Sequence, residues 1–259
     1  MLATAVPRQP AQRAVKLDAA GATHVGRVRR GNEDALLVRP EHGILAVADG
    51  MGGHPAGHVA SALAVRALVD AFPRPASARM LPATLLSRLR GAVQAANRAM
   101  VSHATLDPAA AGMGTTLTAL AFLPGGPAAL AHVGDSRAYQ LRDGRFTRLT
   151  EDHTWVQQQV AAGALTPAAA RRHPRAAMLT SALGEPAGPE RLDARLLDVA
   201  PGDLYLLCSD GLSGMLEDFE LDEIIRSSAT PAAAVDALIE AGNAAGGRDN
   251  LTAVVARLD

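Results

Sequence analysis

Three aliphatic runs of this sequence end in the same chemistry: Leu45-Ala46-Val47-Ala48 leads into Asp49-Gly50, Leu206-Leu207-Cys208-Ser209 into Asp210-Gly211, and Ala131-His132-Val133-Gly134 into Asp135-Ser136. A buried strand that ends in aspartate beside glycine delivers a carboxylate to the rim of a sheet, where the glycine lets backbone or ligand approach closely. Asp-Gly is also ordinary turn chemistry, so one such end means little, but three together point to a site. Two more acidic segments flank apolar strands: Asn32-Glu33-Asp34 precedes Ala35-Leu36-Leu37-Val38, and Arg248-Asp249-Asn250 precedes Leu251. Carboxylates packed together repel one another and lose hydration, so the cluster needs positive charge, most simply a divalent cation. Oxygen donors with no cysteine and few nearby histidines select hard ions, Mg²⁺ or Mn²⁺, over zinc; calcium is compatible, although no EF-hand spacing is present. Gly26-Arg27-Val28-Arg29-Arg30-Gly31 stands just ahead of the first acids. If Arg29 lies on a strand running into Glu33 and Asp34, its planar guanidinium reaches the same rim and suits two oxygens of a phosphate; the alternative is a solvated basic run.

Other chemistries are excluded by what the chain lacks. Lys16 is the only lysine among 25 basic residues, so there is no Walker A lysine and no good Schiff-base candidate. Cys208, the single cysteine, can form neither an intrachain disulfide nor a thiolate zinc site, and Ser209-Asp210-Gly211-Leu212-Ser213-Gly214 after it lacks the arginine a cysteine-dependent phosphatase needs. Gly211-Leu212-Ser213-Gly214-Met215 falls one glycine short of a nucleophile elbow. The 25 basic and 26 acidic residues leave a net charge of −1, which gives no field drawing the protein to nucleic acid or an anionic membrane. The longest uncharged stretch, 108–134, is broken by Pro124-Gly125-Gly126-Pro127 into pieces too short to span a bilayer. With no basic-then-apolar leader either, the expected location is the cytoplasm.

The elements that must position these acids follow from periodicity. Of the 259 residues, 48% are hydrophobic and only 3% aromatic, so the core is aliphatic and large enough for one domain over residues 15–259, with 1–14 as a mobile tail. Apolar steps of three and four predict long helices over 54–72 and 84–104, and a third over 231–245 that Gly246-Gly247 stops. Short aliphatic runs predict strands at 43–48, 116–122, 128–133, 204–208 and 251–257, with hairpins at 124–127 and at Asp143-Gly144. Strands and helices without strict alternation indicate an α+β fold of mostly antiparallel sheets with helices outside. Residues 153–184, Gln- and Ala-rich with the basic patch Arg171, Arg172 and Arg175, read as an inserted lid with a solvated surface.

Taken in order, Gly26-x-Val28-Arg29-x-x-Asn32-Glu33-Asp34, Val47-Ala48-Asp49-Gly50-Met51-Gly52-Gly53-His54, Gly112-Met113-Gly114-Thr115-Thr116, Gly134-Asp135-Ser136-Arg137, Ser209-Asp210-Gly211-Leu212 and Asp249-Asn250-Leu251-Thr252 resemble the motifs of the metal-dependent protein phosphatase family, type 2C, in its bacterial branch. The resemblance spans about residues 20–258. It implies a four-layer αββα sandwich with a flap near 153–184, and two Mn²⁺ or Mg²⁺ ions at one end. Asp49 would bridge both ions, the Gly50 carbonyl would bind one, and Asp210 and Asp249 the other. Glu33 and Asp34 would orient metal-bound waters, and Asp135 with Asp210 would match a third, weaker position. Arg29 would hold the substrate phosphate. Animal members carry a histidine after the Asp-Gly, proposed as the acid that protonates the leaving group; here that position is Met51, which cannot donate a proton, and His54 is the nearest substitute. Trp155 would anchor the flap by packing, and Thr115 and Thr116 would place backbone near the site. The implied activity is hydrolysis of phosphoserine and phosphothreonine in proteins, opposing a bacterial Ser/Thr kinase, by a monomer. Two other classes stay open: a metal-dependent hydrolase of small phosphate esters or anhydrides, and a non-catalytic signalling module on the same fold.

Overall fold

The computed structural model describes residues 16–51 and 56–259, so the expected N-terminal tail and His54 lie outside the described residues. Sheet A contains β1 (Leu17–His24), β7 (Arg137–Arg142), β8 (Arg145–Arg148), β10 (Leu204–Cys208) and β11 (Leu251–Leu258), in the order β1-β11-β10-β7-β8. Sheet B contains β2 (Asp34–Arg39), β3 (Ile44–Met51), β5 (Leu117–Phe122), β6 (Ala128–Val133) and β9 (Asp193–Leu197), in the order β2-β3-β5-β6-β9, with the two-residue β4 (Gly114–Thr115) on the end of β3. Every pairing is antiparallel. The helices are α1 (Gly57–Ala71), α2 (Pro82–Leu106), α3 (Trp155–Ala161), α4 (Pro167–Arg171), α5 (Asp210–Ser213), α6 (Asp218–Ser227) and α7 (Pro231–Ala244).

The layering can be read from alternation along single strands, because successive strand residues face opposite sides of a sheet. On β3, Leu45 and Val47 face the other sheet, in one cluster with Leu120 and Leu130 of their own sheet and Leu207 and Val254 of the opposite one. Ile44, Ala46 and Ala48 face α1 and α2, against Ala60, Leu68, Leu89 and Met100. On β11, Val254 and Ala256 belong to the layer between the sheets, whereas Ala253 and Val255 pack with Leu221, Val235 and Leu238 of α6 and α7. Three aliphatic layers therefore separate four layers of structure, the expected αββα sandwich.

Local chemistry sets the element ends. Pro82 and Pro231 stand in the first turns of α2 and α7, where a missing N–H costs nothing, and Thr230 caps α7 by accepting from the Ala233 N–H at 3.2 Å. The β7–β8 hairpin turns at Asp143 and Gly144, both with positive φ of 49° and 73°, as the matching strand twist requires. Beyond the sequence-predicted elements the structure adds β1, β4, β9, α5 and α6. Residues 153–184 carry two short helices, α3 and α4, capped by Thr154 and Thr166. Their basic patch is not simply solvated: Arg171 pairs with Glu217 at 3.0 Å, and the Arg175 guanidinium lies over Trp155, 5.1 Å from the ring centre. Trp155 also lies against His173, with ring centres 5.1 Å apart and planes tilted by 38°.

Candidate active site

Antiparallel pairing carries the acidic strand ends to the same end of the sandwich. Asp34 opens β2 directly opposite Asp49 near the end of β3, and Asp210 follows β10 where β11 begins just beyond Asp249 and Asn250. Asp135 sits in the turn from β6 to β7. A cavity of about 400 Å³ is lined there by Arg29, Glu33, Asp49, Gly50, Met51, Thr116, Asp135, Asp210, Asp249 and Asn250. Asp34 lies beneath it. Arg29 stands on the β1–β2 loop, not on a strand, and still reaches the rim.

Hydrogen bonds from short polar side chains lock this arrangement. Thr115 Oγ1 and the Thr116 N–H both donate to the Asp49 carbonyl at 2.9 Å, and the Asp49 N–H donates to Thr116 Oγ1 at 3.0 Å. The threonines thus place backbone as expected. Asn250 joins three segments: it accepts from the Glu33 N–H at 2.9 Å and donates to the carbonyls of Val25 and Gly31 at 3.0 Å each. Ser209 and Thr252 donate to Asp34 Oδ2 at 2.8 and 2.5 Å. Sequence reasoning assigned no role to Ser209, Asn250 or Thr252; their signal was adjacency, each standing one to three residues from an acid.

The electrostatics are those of a site short of positive charge. Burial pushes the Asp34 carboxyl up to about 6, and Asp34 Oδ1 is buried with no hydrogen-bond partner among the described residues. Burial also raises Asp49 well above the usual carboxylate range, helped by the charges of Asp34, Asp210 and Asp135. Asp135 is raised well above that range by burial and by Asp210, and Asp210 is raised by burial and by Asp249. Asp49 and Asp210 keep partial access to the cavity although protein crowds them on every other side. Carboxylates in contact can share a hydrogen bond only while one carries a proton, and a cation removes that restriction.

No three His, Cys, Asp or Glu side chains among the described residues form a closed ligand set, because two of the acids are turned to protein donors. Asp34 accepts from Ser209 and Thr252, and Asp249 accepts from Arg29 Nη2 at 2.6 Å. The Arg29–Asp249 pair is 57% and 37% exposed, and such pairs contribute about 0–1 kcal/mol, so little opposes their separation. The orphaned Asp34 Oδ1, the crowded carboxylates and the all-oxygen donor set fit a hard cation. Burial pushes the Cys208 thiol up to about 12, which leaves it unreactive.

The family description "Protein phosphatase 2C" matches residues 20–255 of the chain. The chain belongs to the protein phosphatase 2C family. The serine/threonine protein phosphatase PstP of Mycobacterium tuberculosis H37Rv is 42% identical over 89% of this chain, and the chain spans 43% of that relative's length, less than half. The serine/threonine phosphatase stp of Listeria monocytogenes serovar 1/2a is 38% identical over 92% of this chain and 94% of its own length. Among solved structures, the mycobacterial phosphatase PstP/Ppp superimposes with a TM-score of 0.84 at 41% identity, covering 95% of this chain and 99% of that one. The PstP catalytic domain solved with two manganese ions gives 0.82 at 40% identity over the same shares. The phosphatase 2C fold thus agrees with the αββα layering above.

Proposed function

We infer that this phosphatase 2C protein hydrolyses phosphoserine and phosphothreonine in proteins, using two Mn²⁺ or Mg²⁺ ions, and opposes a Ser/Thr protein kinase as a cytoplasmic monomer. One observation carries the reading: Asp49, Asp210, Asp249, Glu33 and Arg29, spread over 220 residues of sequence, line one cavity. Further support comes from a relative whose catalytic domain holds two manganese ions. Among the described residues no helix is long and apolar enough to cross a membrane.

In this reading Asp49, the Gly50 carbonyl, Asp210 and Asp249 would hold the ions, Glu33 and Asp34 would orient water, and Asp135 with Asp210 would provide a weaker third position. When bound, such a pair of ions lowers the pKa of a coordinated water and neutralises charge on a phosphoryl group. Arg29, once released from Asp249, would offer its planar donors to the phosphate. Thr115, Thr116 and Asn250 fix the backbone so that the acids need little reorganisation during reaction. Met51 lines the cavity and donates no proton. His54, whose place is outside the described residues, is the proposed contact to the phosphate or leaving group.

The deciding experiment measures phosphate release from a phosphothreonine peptide with Mn²⁺. Turnover lost on chelation and regained with Mn²⁺ is expected; turnover indifferent to chelation would overturn the reading. Free phosphoserine and nucleotides turned over in preference to the peptide would favour a small-molecule hydrolase.

A second prediction concerns pH. An acid whose folded pKa lies above its unfolded value of about 4 keeps its proton longer in the folded state, so its contribution to stability falls as pH rises through that window. Asp34, at about 6, and Asp49, Asp135 and Asp210, all raised, place this loss in the metal-free protein between about pH 4 and the raised values. His132, lowered to about 4 by burial, acts in the opposite sense but lines a different cavity, so it cancels in a comparison with and without metal. The rise in Tm caused by Mn²⁺ should therefore grow from pH 5 to pH 7, as read by differential scanning calorimetry. A constant or shrinking increment would contradict it.

A further inference from the structure

Beside the acidic centre lies a second, larger cavity of about 590 Å³, between the α3–α4 insertion and the start of α6. It adjoins the first, since Asp135, Ala177 and Asp210 line both. Its other charges cancel. Apart from Asp135 and Asp210, the walls carry Arg137, Arg148 and Arg171 against Asp152, Glu217 and Asp218. Each of the six is paired: Arg137 with Asp152 at 2.7 Å and Asp218 at 3.5 Å, Arg148 with Asp152 at 3.7 Å, and Arg171 with Glu217 at 3.0 Å. Between the pairs the walls carry the apolar Val156, Val160, Ala170, Ala176 and Phe219 together with the uncharged polar Thr154, Gln157 and Ser213.

Phe219 is the unexplained residue. It is 69% exposed, the only aromatic side chain among the large exposed hydrophobics of the described residues, and it packs in no core cluster. Yet its backbone is held firmly. Glu217 and Glu220 form a reciprocal cap on α6, Glu217 is tied to Arg171 of the insertion, and Asp218 accepts from the Tyr139 hydroxyl at 2.9 Å. A solvent-facing aromatic ring on an anchored backbone, in a groove that adjoins the acidic cavity, gives binding energy to a partner at little backbone ordering cost.

We propose that this groove receives an apolar side chain of the substrate, beside the phosphorylated residue, and that Phe219 is the specificity-determining contact. The proposal rests on the phosphatase reading above and narrows it to substrates with an uncharged, aliphatic or aromatic flank. A groove whose own charges are already paired offers no counter-charge to an acidic or basic flank, which would lose hydration on entering it.

The test uses phosphothreonine peptides built on glycine and serine, each with a single Leu, Phe, Asp or Lys at one of the four positions before or after the phosphothreonine. With Mn²⁺, Leu or Phe at one position should raise kcat/KM about tenfold over the glycine parent, through KM, as expected for burying one apolar side chain. Asp and Lys at that position should give no gain. Phe219→Ala should reduce the preference to about twofold, and Phe219→Leu should restore most of it. Equal kcat/KM across the series, a preference for Asp or Lys, or a Leu preference that survives Phe219→Ala would each overturn the proposal. Kd for the same peptides, read by fluorescence anisotropy, separates the two failures. If no peptide is turned over but the Phe219-dependent preference remains in Kd, the phosphatase reading falls and the groove stands; if Kd is flat as well, the groove falls too.

Discussion

Replacing Asp210 by asparagine should lower kcat/KM for a phosphothreonine peptide by about 10³-fold or more while leaving the metal-free protein as stable as before, or more so. The two halves of this expectation come from one fact. Asp210 opens α5 with its carboxyl crowded by protein, pushed up by burial and by Asp249, and shared with Asp49. An amide has nearly the same shape, keeps the turn, and removes a charge that the fold holds at a cost, so the metal-free Tm should not fall. The same amide is a weaker donor to a hard cation and cannot neutralise its charge, and loss of charge stabilisation in the reaction is worth several kcal/mol. Retained activity at unchanged Mn²⁺ concentration would remove Asp210 from the proposed ligand set. A collapse of the metal-free Tm would instead mark it as a structural residue. Isothermal titration with Mn²⁺, run beside the kinetics, separates weakened metal affinity from a slower reaction at saturating metal.

The acidic strand ends were legible in the sequence because the signal is local: an aliphatic run fixes the strand, and Asp-Gly directly after it fixes where the carboxylate emerges. Asp49 is of this kind, and Asp210 and Asp135 each come one residue later, after Ser209 and Gly134, with Asp135 followed by serine in place of glycine. Arg29 was half legible. Its arrival at the rim followed from its nearness to Glu33, but its place on a loop and its pairing with Asp249, 220 positions away, belong to tertiary structure. Two of the missed elements, α6 and β9, share one cause. In α6 the buried positions are Leu221 and Ile225, a single pair one turn apart, which is too short a series to show a period. In β9 the burial is intermediate, intermediate, exposed, exposed, buried, without alternation, because it is an edge strand lying beside α2. The groove inherits this blindness. Phe219 belongs to the unforeseen helix, and the ion pairs that neutralise the walls join Arg137 to Asp218 and Arg171 to Glu217 across separate segments.

The backbone on which the acids stand makes a second large effect predictable from a residue that bears no functional group. Gly211 follows Asp210 in α5, and a Cβ there would collide with the Asn250 carbonyl and sit 3.2 Å from Asp249 Cβ. Both obstacles are fixed. Asn250 is hydrogen-bonded to Glu33, Val25 and Gly31, and Asp249 stands two residues before the start of β11. Gly211→Ala must therefore part α5 from β11, separating Asp210 from Asp249 and loosening the strut that carries Glu33. Displacements of about 1 Å in a positioned site cost on the order of 100-fold in rate, and that is the loss in kcat/KM expected here, accompanied by weaker Mn²⁺ binding in calorimetry. The control is Gly91→Ala on the exposed face of α2, where a Cβ meets nothing within 4 Å and alanine stabilises a helix by about 0.5–1 kcal/mol relative to glycine. Gly91→Ala should raise Tm slightly and leave kcat/KM unchanged, so that the loss in Gly211→Ala reports on the contact between α5 and β11 and not on glycine replacement as such. If Gly211→Ala keeps wild-type kcat/KM and Mn²⁺ affinity, then Asp210 and Asp249 do not act as one ligand pair, and the proposed division of the acids between two ions has to be redrawn.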